Sequence, residues 1–460
     1  MSTAIRRDLR APETGAARVA SHLAGGGAIV VGTWLVVRFY RCIARFAVNT
    51  LYWDQWDFLG DLFAGRGVVA LFLHQHGPQR EGLAAPFLSV VYGLSGWNTR
   101  VEAFASGTLV VLGALVAIVL KRRLVGRLEA ADVAIAGIYL TLAQFELFVG
   151  TQNPSHGPFP ALLVPAIGLA LSARAPAVRA AAGSALGVCA ISTGFAWTAA
   201  GPLGLVLALQ AGRAKTARDR IVLTGGALFV VAMLAVFLAT LRPEPAADCF
   251  RFPHDRPLEY VTFAAVQLGR AAYLYDASRG WAGIASGAFV CAAAVLGALV
   301  VVFATSVRRL ARGDDGQRDG VLTFLSGATL AFLAATAVGR VCLGVEAATS
   351  SRYVPYAFAG LLALHVSSGT VTNARRRRFL VAAFAILMVA KELRASGDRR
   401  AMNRYRDGKT RWVACYVRRG DVAACDREAK FALYPAPAAT ALDVKLEFLR
   451  VRRLSFFRER

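Results

Sequence analysis

Charged side chains are scarce in this chain. Asp, Glu, Lys and Arg make up 18% of its 460 residues, against about 25% in an ordinary soluble domain. Acids are scarcer still, with 29 Asp and Glu against 53 Lys and Arg. Hydrophobic residues reach 56% and the mean hydropathy is +0.48. This balance excludes a disordered chain, which needs low hydrophobicity. It also excludes a string of soluble domains, because no soluble pattern runs through most of the length. There is no repeat of convincing period and no low-complexity linker. A signal-peptide cleavage pattern is missing too: residues 1–23 are polar, and Arg38, Arg41 and Arg45 close the first apolar run. Cys42, Cys189, Cys249, Cys291 and Cys342 are scattered without metal-ligand spacing.

What is present is a series of apolar runs, most near the length that crosses a hydrocarbon core of about 30 Å. They fall at roughly 24–40, 102–120, 130–149, 157–173, 179–193, 197–211, 220–241, 282–306, 320–339, 354–371 and 379–393. The expected fold is therefore all-α and transmembrane, with about eleven spans. Segment 257–278 is too broken by charge to span and reads as a helix lying at the interface or re-entering.

The formal charge of +24 would point to nucleic acid on a soluble protein. Here most of it is topological. Lys121 to Arg123 with Arg127, Arg174 with Arg179, Arg213 to Arg220, Arg308 to Arg318, and Arg375 to Arg378 alternate with the spans and all fall on one side. The positive-inside rule makes that side cytoplasmic, together with the N-terminus 1–23. No nucleic-acid partner is expected. The polytopic domain is 24–393. The outer side then holds segments 47–100, 242–281 and 340–353 and a tail, 394–460. The tail keeps a positive excess, and its Cys415 and Cys425 could form a disulfide in an oxidising compartment or remain two thiols.

The outer segments carry the polar chemistry. The first opens Tyr52-Trp53-Asp54-Gln55-Trp56-Asp57-Phe58. The aromatics suit a membrane boundary. The carboxylates Asp54 and Asp57 share one face if the segment is helical. Such a carboxylate can take a proton from a hydroxyl, hold a divalent cation, or simply cap a helix. His76 and Arg80 follow, around Gly77-Pro78, and are suited to a phosphate or hydroxyl contact. His74-Gln75-His76 could also serve a metal together with Asp54 or Asp57. Glu146 closes the third apolar run, with Gln152, Asn153 and His156 beyond it. An acid at that depth is a functional-site candidate or an interfacial partner for an arginine. The late stretch from Gly339-Arg340 through Glu346 to Ser351-Arg352-Tyr353 places two arginines on the outer side, against the topological bias. They either bind an anion or pair with Glu146, Glu346 or the tail.

As an ordered set, these motifs resemble a family of bacterial polytopic membrane proteins. The matching residues are Trp56-Asp57, His76 to Arg80, Glu146 with Gly150 and Gln152, and Gly339-Arg340 to Tyr353. The resemblance covers most of 25–375 and extends in layout to the GT-C class of membrane glycosyltransferases. It implies a GT-C-like fold, a polyprenyl-phosphate sugar donor, an envelope glycan or lipid acceptor, and residence in the bacterial inner membrane. Asp54 or Asp57 would be the base or metal-holding acid, Arg340 and Arg352 would meet the donor phosphate, and Glu146 a sugar or acceptor. The candidate substrate-binding set is thus His76, Arg80, Glu146, Gln152, Arg340, Glu346, Arg352 and Tyr353. No metal ligands are assigned, and a divalent cation is left open. The chain departs from the family pattern at Gln79, where a second histidine is expected. Two other functions compete: a transporter or flippase of a lipid-linked anion, and a non-enzymatic envelope assembly protein. A transporter would be marked by inverted repeats and broken helices at the midplane. The sequence displays no such repeat.

Overall fold

The computed structural model describes residues 15–242, 249–274, 287–313, 316–394 and 396–458. Among them regular structure is helical throughout, apart from an isolated bridge between Gln75 and Arg80. Six helices are long and apolar enough to cross a membrane: Leu23–Phe46, Thr99–Val125, Gly194–Gly212, Ala217–Ala239, Gly287–Arg312 and Arg318–Leu343. Shorter apolar helices run over Ala84–Ser95, Ala130–Gln144, Pro158–Leu171 and Pro176–Ile191. The chain is an all-α protein built for a lipid bilayer.

Local chemistry explains several departures from continuous spans. Residues 130–149 break into Ala130–Asp132, Val133–Tyr139, Leu142–Gln144 and Glu146–Val149. Polar side chains take over backbone groups there. Thr141 Oγ1 accepts from Ala143 N, Glu392 Oε2 accepts from Leu142 N at 3.2 Å, and Gln144 Nε2 donates to Tyr139 O at 2.6 Å. Pro158 and Pro176 open their helices at a position where no N–H is needed. The late apolar runs form Phe358–Ser368 and Ala374–Ala390. The charge-broken segment forms Leu258–Arg270, packed on Gly287–Arg312 and Arg318–Arg340. Its thirteen residues rise only about 20 Å.

Thr99–Val125 packs closely on Pro158–Leu171. A Cβ on Gly113 would stand 2.4 Å from Ala161 O, so only glycine permits this approach.

Successive helices return the chain between two ends. One end gathers the basic turns near 126–129, 172–175, 213–216 and 369–373. Gln210 Nε2 reaches Gly316 O at 2.9 Å and Gln317 Nε2 reaches Ala173 O at 3.4 Å, tying those turns together. The other end gathers 47–58, 141–157, 192–199, 240–242 and 341–357.

Beyond the main bundle core lies a second apolar core at this other end. It joins the first long loop, through Leu51, Trp56, Phe58, Leu88 and Tyr92, to the tail, through Trp412, Leu433, Leu442, Leu446 and Leu449. The tail is thus docked. Its helices Ser396–Arg419 and Val422–Ala429 are linked by a Cys415–Cys425 disulfide. Fully buried Lys409 donates to Val149 O at 3.0 Å and Gly150 O at 2.6 Å. These are carbonyls at the end of the one-turn helix Glu146–Val149, and burial pulls the Lys409 amine down to about 7.

Candidate functional site

Asp54 is set by a tight turn. Trp53 adopts φ 53°, and Asp54 then begins the one-turn helix Gln55–Phe58. The Asp54 side chain caps no backbone N–H of that helix. Its Oδ2 instead stands 3.5 Å from His76 Nε2 and 3.3 Å from Arg352 Nη1. His76 comes from a hairpin in which His76 N donates to Gln79 O and Glu81 N to His74 O. Gly77, at φ 63°, makes its turn. Arg352 comes from the 3-10 stretch Ser351–Ala357. Glu146 orders that stretch: its Oε2 accepts from Arg352 N at 3.2 Å and from Ser350 Oγ at 3.3 Å, while Ser351 Oγ accepts from Glu146 N. Three remote segments therefore meet on one carboxylate.

The electrostatics follow from this contact. Burial pushes the Asp54 carboxyl up. The hydrogen bond and charge of His76, with the Arg352 guanidinium, more than offset that and hold it below the usual carboxylate range. Burial pulls His76 down, but Asp54 outweighs it and His76 sits above an ordinary histidine. The side chains are 18%, 29% and 40% exposed for Asp54, His76 and Arg352, so the cluster remains accessible.

A drier layer lies behind the hairpin. Gln79 Nε2 meets His156 Nε2, and Asn153 Nδ2 reaches Glu81 Oε1 at 3.4 Å. Gln79 thus contacts a histidine supplied by another segment. Burial drives Glu81 up to about 7 and His156 well below its usual value. Among the described residues, Gln79 Oε1, Glu81 Oε2 and His156 Nδ1 have no protein partner. Arg340, half-buried, has no hydrogen bond or ion pair among the described residues, and its charge is felt at His156.

The candidates thus divide. Asp54, His76, Glu146 and Arg352 converge, and of Arg340 only its charge reaches this layer, at His156. Asp57 turns away to accept from Tyr434 Oη of the tail at 2.6 Å. Arg80 points to the opposite side of the hairpin, where Nη2 donates to Thr240. Gln152 is fully buried and donates to Phe148 O. Glu346 is exposed, and Tyr353 packs in an aromatic cluster with Phe195, Phe332 and Tyr356. Of the outer-arginine alternatives, Arg352 pairs with Asp54, a partner outside those expected. Among the described residues, no three or more His, Cys, Asp and Glu converge as a metal ligand set.

Sequence reasoning missed the Cys249–Cys342 disulfide, which ties the segment after 242 to the end of the Arg318–Arg340 helix. Nothing in the spacing of those cysteines marks it. It also missed Glu81 and Lys409. Glu81 directly follows the His76 to Arg80 segment, and nothing local marks it. Gly194, at φ 58°, lies so near Ser155 O and donates so directly to Arg80 O that no side chain fits; it pins the hairpin to the bundle.

Comparison of the chain with family models, with curated proteins and with solved structures returns no match. The site is read from its own chemistry.

Proposed function

We propose that this chain is a multi-pass glycosyltransferase of the bacterial inner membrane, GT-C-like in layout. It moves a sugar from a polyprenyl-phosphate donor to an extracytoplasmic envelope glycan or lipid. About eleven crossings fit this reading if the shorter apolar helices cross as well. The basic turns gathered at one end support a cytoplasmic face there, with the N-terminus. Both disulfides lie at the opposite end, which supports an oxidising compartment for the site and the tail.

The observation that carries the reading is the Asp54 carboxylate, ionised near neutrality, held by His76 and Arg352 and still open to solvent. In the proposed step the acceptor hydroxyl oxygen attacks the anomeric carbon. Its proton passes to Asp54. The bond from that carbon to the donor phosphate oxygen breaks, and the electron pair leaves with polyprenyl phosphate. The unpaired Arg340, with Arg352, stabilises the departing charge. A carboxylate of lowered pKa is a modest base, so leaving-group stabilisation carries much of the barrier. Glu146 orients Arg352.

The test uses purified protein, radiolabelled polyprenyl-phosphate sugars and an envelope acceptor fraction. Wild type transfers label and Asp54→Asn does not. Undiminished transfer by Asp54→Asn would remove Asp54 from the chemistry. Passage of lipid-linked substrate across liposomes without sugar transfer would favour a transporter.

A further inference from the structure

The His74–Glu81 hairpin has two faces. His76, Gln79 and Glu81 face the Asp54 cluster and the dry layer behind it. Gln75 and Arg80 face outward, with His74, into a separate cleft of about 700 Å³. Arg66 and Arg242 complete its basic wall. We propose that this cleft binds the phosphate group of an anionic membrane lipid, at a site distinct from the Asp54 centre. The proposal stands whether or not the protein transfers sugar.

Charge is the first argument. Asp61 is the acid of the cleft, and it is already engaged by Arg66 at 3.2 Å and by His74 at 3.1 Å. Arg80 spends only Nη2, on Thr240 O and Oγ1 at 3.0 Å each, and stacks over Phe237 at 5.5 Å. Its buried Nε has no partner among the described residues. The Arg242 guanidinium has none either; Arg242 is held through its backbone, which exchanges two 2.8 Å bonds with the Gln75 amide. Among the described residues, two guanidinium charges in one cavity thus have no carboxylate partner. Guanidinium groups in this arrangement match phosphate oxygens.

Position is the second argument. The cleft sits where Ala217–Ala239 ends. Its surroundings expose Val69 and Leu73 on one side and Val236 and Leu238 on the other. A cationic pocket rimmed by exposed aliphatic side chains suits a ligand with an anionic head and a hydrocarbon chain. A soluble phosphate would use the pocket but not the rim.

The experiment is lipid binding by the full chain in nanodiscs. The base lipid is phosphatidylcholine, doped with phosphatidylglycerol, with a polyprenyl phosphate, or with neither. Inorganic phosphate is a separate arm. Retained lipid is read by native mass spectrometry. Wild type is expected to retain doped anionic lipid about tenfold or more over phosphatidylcholine; Arg80→Gln with Arg242→Gln is expected to abolish that preference for phosphatidylglycerol and to lower polyprenyl-phosphate retention to the share held at the Asp54 centre. The exposed-site pair Arg66→Gln with Arg242→Gln, less exposed to folding defects, is expected to weaken it, and added salt to weaken it further. Equal retention of both anionic lipids assigns the site to headgroup phosphate in general; retention of polyprenyl phosphate alone, lowered by Arg80→Gln with Arg242→Gln, assigns it to that lipid. Both support the proposal. It is overturned if wild type shows no anionic preference, if inorganic phosphate binds as tightly as lipid, or if folded double variants retain lipid as wild type does. Asp54→Asn, run alongside, is expected to bind like wild type; loss of binding there would merge the two sites and end the claim of a distinct one.

Discussion

The two ends of the bundle hold the same three kinds of side chain in opposite conditions. At the basic end, Asp132 sits 2.5 Å from Lys121 Nζ and 2.8 Å from His365 Nε2, with all three side chains under 10% exposed. At the other end, Asp54 meets His76 at 3.5 Å and Arg352 at 3.3 Å, with exposures of 18%, 29% and 40%. An acid, a histidine and a cation are present in each. The Asp132 set is short, dry and closed, and it joins Thr99–Val125 to the short pieces at 130–144 and to Phe358–Ser368. The Asp54 set is longer and open. Composition therefore does not tell a closed charged cluster from an open one. Access and slack do.

The largest expected effect sharpens this contrast. Asp54→Asn is expected to lower sugar transfer by about 10² to 10⁴-fold, the range of a lost general base, with thermal unfolding little changed. Asp132→Ala should do the reverse. Removing one partner of a buried pair costs about 3–5 kcal/mol, so its melting temperature falls while transfer per folded molecule persists. If Asp132→Ala melts like wild type, the closed cluster is not a brace.

The third prediction concerns pH. His76 is raised and Asp54 lowered by their contact. The stabilisation that comes through His76 is complete below its unfolded pKa and is lost as pH rises through the raised folded value. The part from Asp54 is present above the unfolded carboxyl pKa and is lost as pH falls through the lowered folded value. The pair is thus intact between the lowered Asp54 value and the raised His76 value. Thermal unfolding measured against pH should lose its His76-dependent alkaline limb in His76→Gln. An unchanged limb would mean that His76 does not carry it.

A smaller effect is expected from the tail. The Cys415–Cys425 disulfide spans a sequence separation of only 10, so it closes no long loop. Reducing it, or combining Cys415→Ser with Cys425→Ser, costs about 3 kcal/mol or less, read as a lower melting temperature. The smallest is Glu346→Gln. Its exposed side chain makes no ion pair among the described residues, so stability should stay within about 0.5 kcal/mol of wild type.

Helical class was legible because hydropathy acts over short stretches of chain, and the polar segments between the apolar runs stood out for the same reason. Asp54 and Arg352 were both visible as candidates, but their pairing was not. They lie 298 residues apart in sequence, and no local rule joins them. Nor could spacing separate Asp54 from Asp57. That choice is made by the turn at Trp53 and by Tyr434 of the docked tail. The facing of Arg80 was hidden for the same reason: it is decided by Thr240 at the end of a remote helix. The apolar run at 130–149 read as one span because hydropathy does not see Thr141, Gln144 and Glu392 taking backbone bonds.

The central claim is that the open cluster works and the closed one braces. The most direct measurement is label transfer from polyprenyl-phosphate sugar by Asp54→Asn and Asp132→Asn side by side, normalised to folded protein. Transfer is expected to be lost in Asp54→Asn and kept in Asp132→Asn. Transfer kept in the first, or lost equally in both, would contradict it.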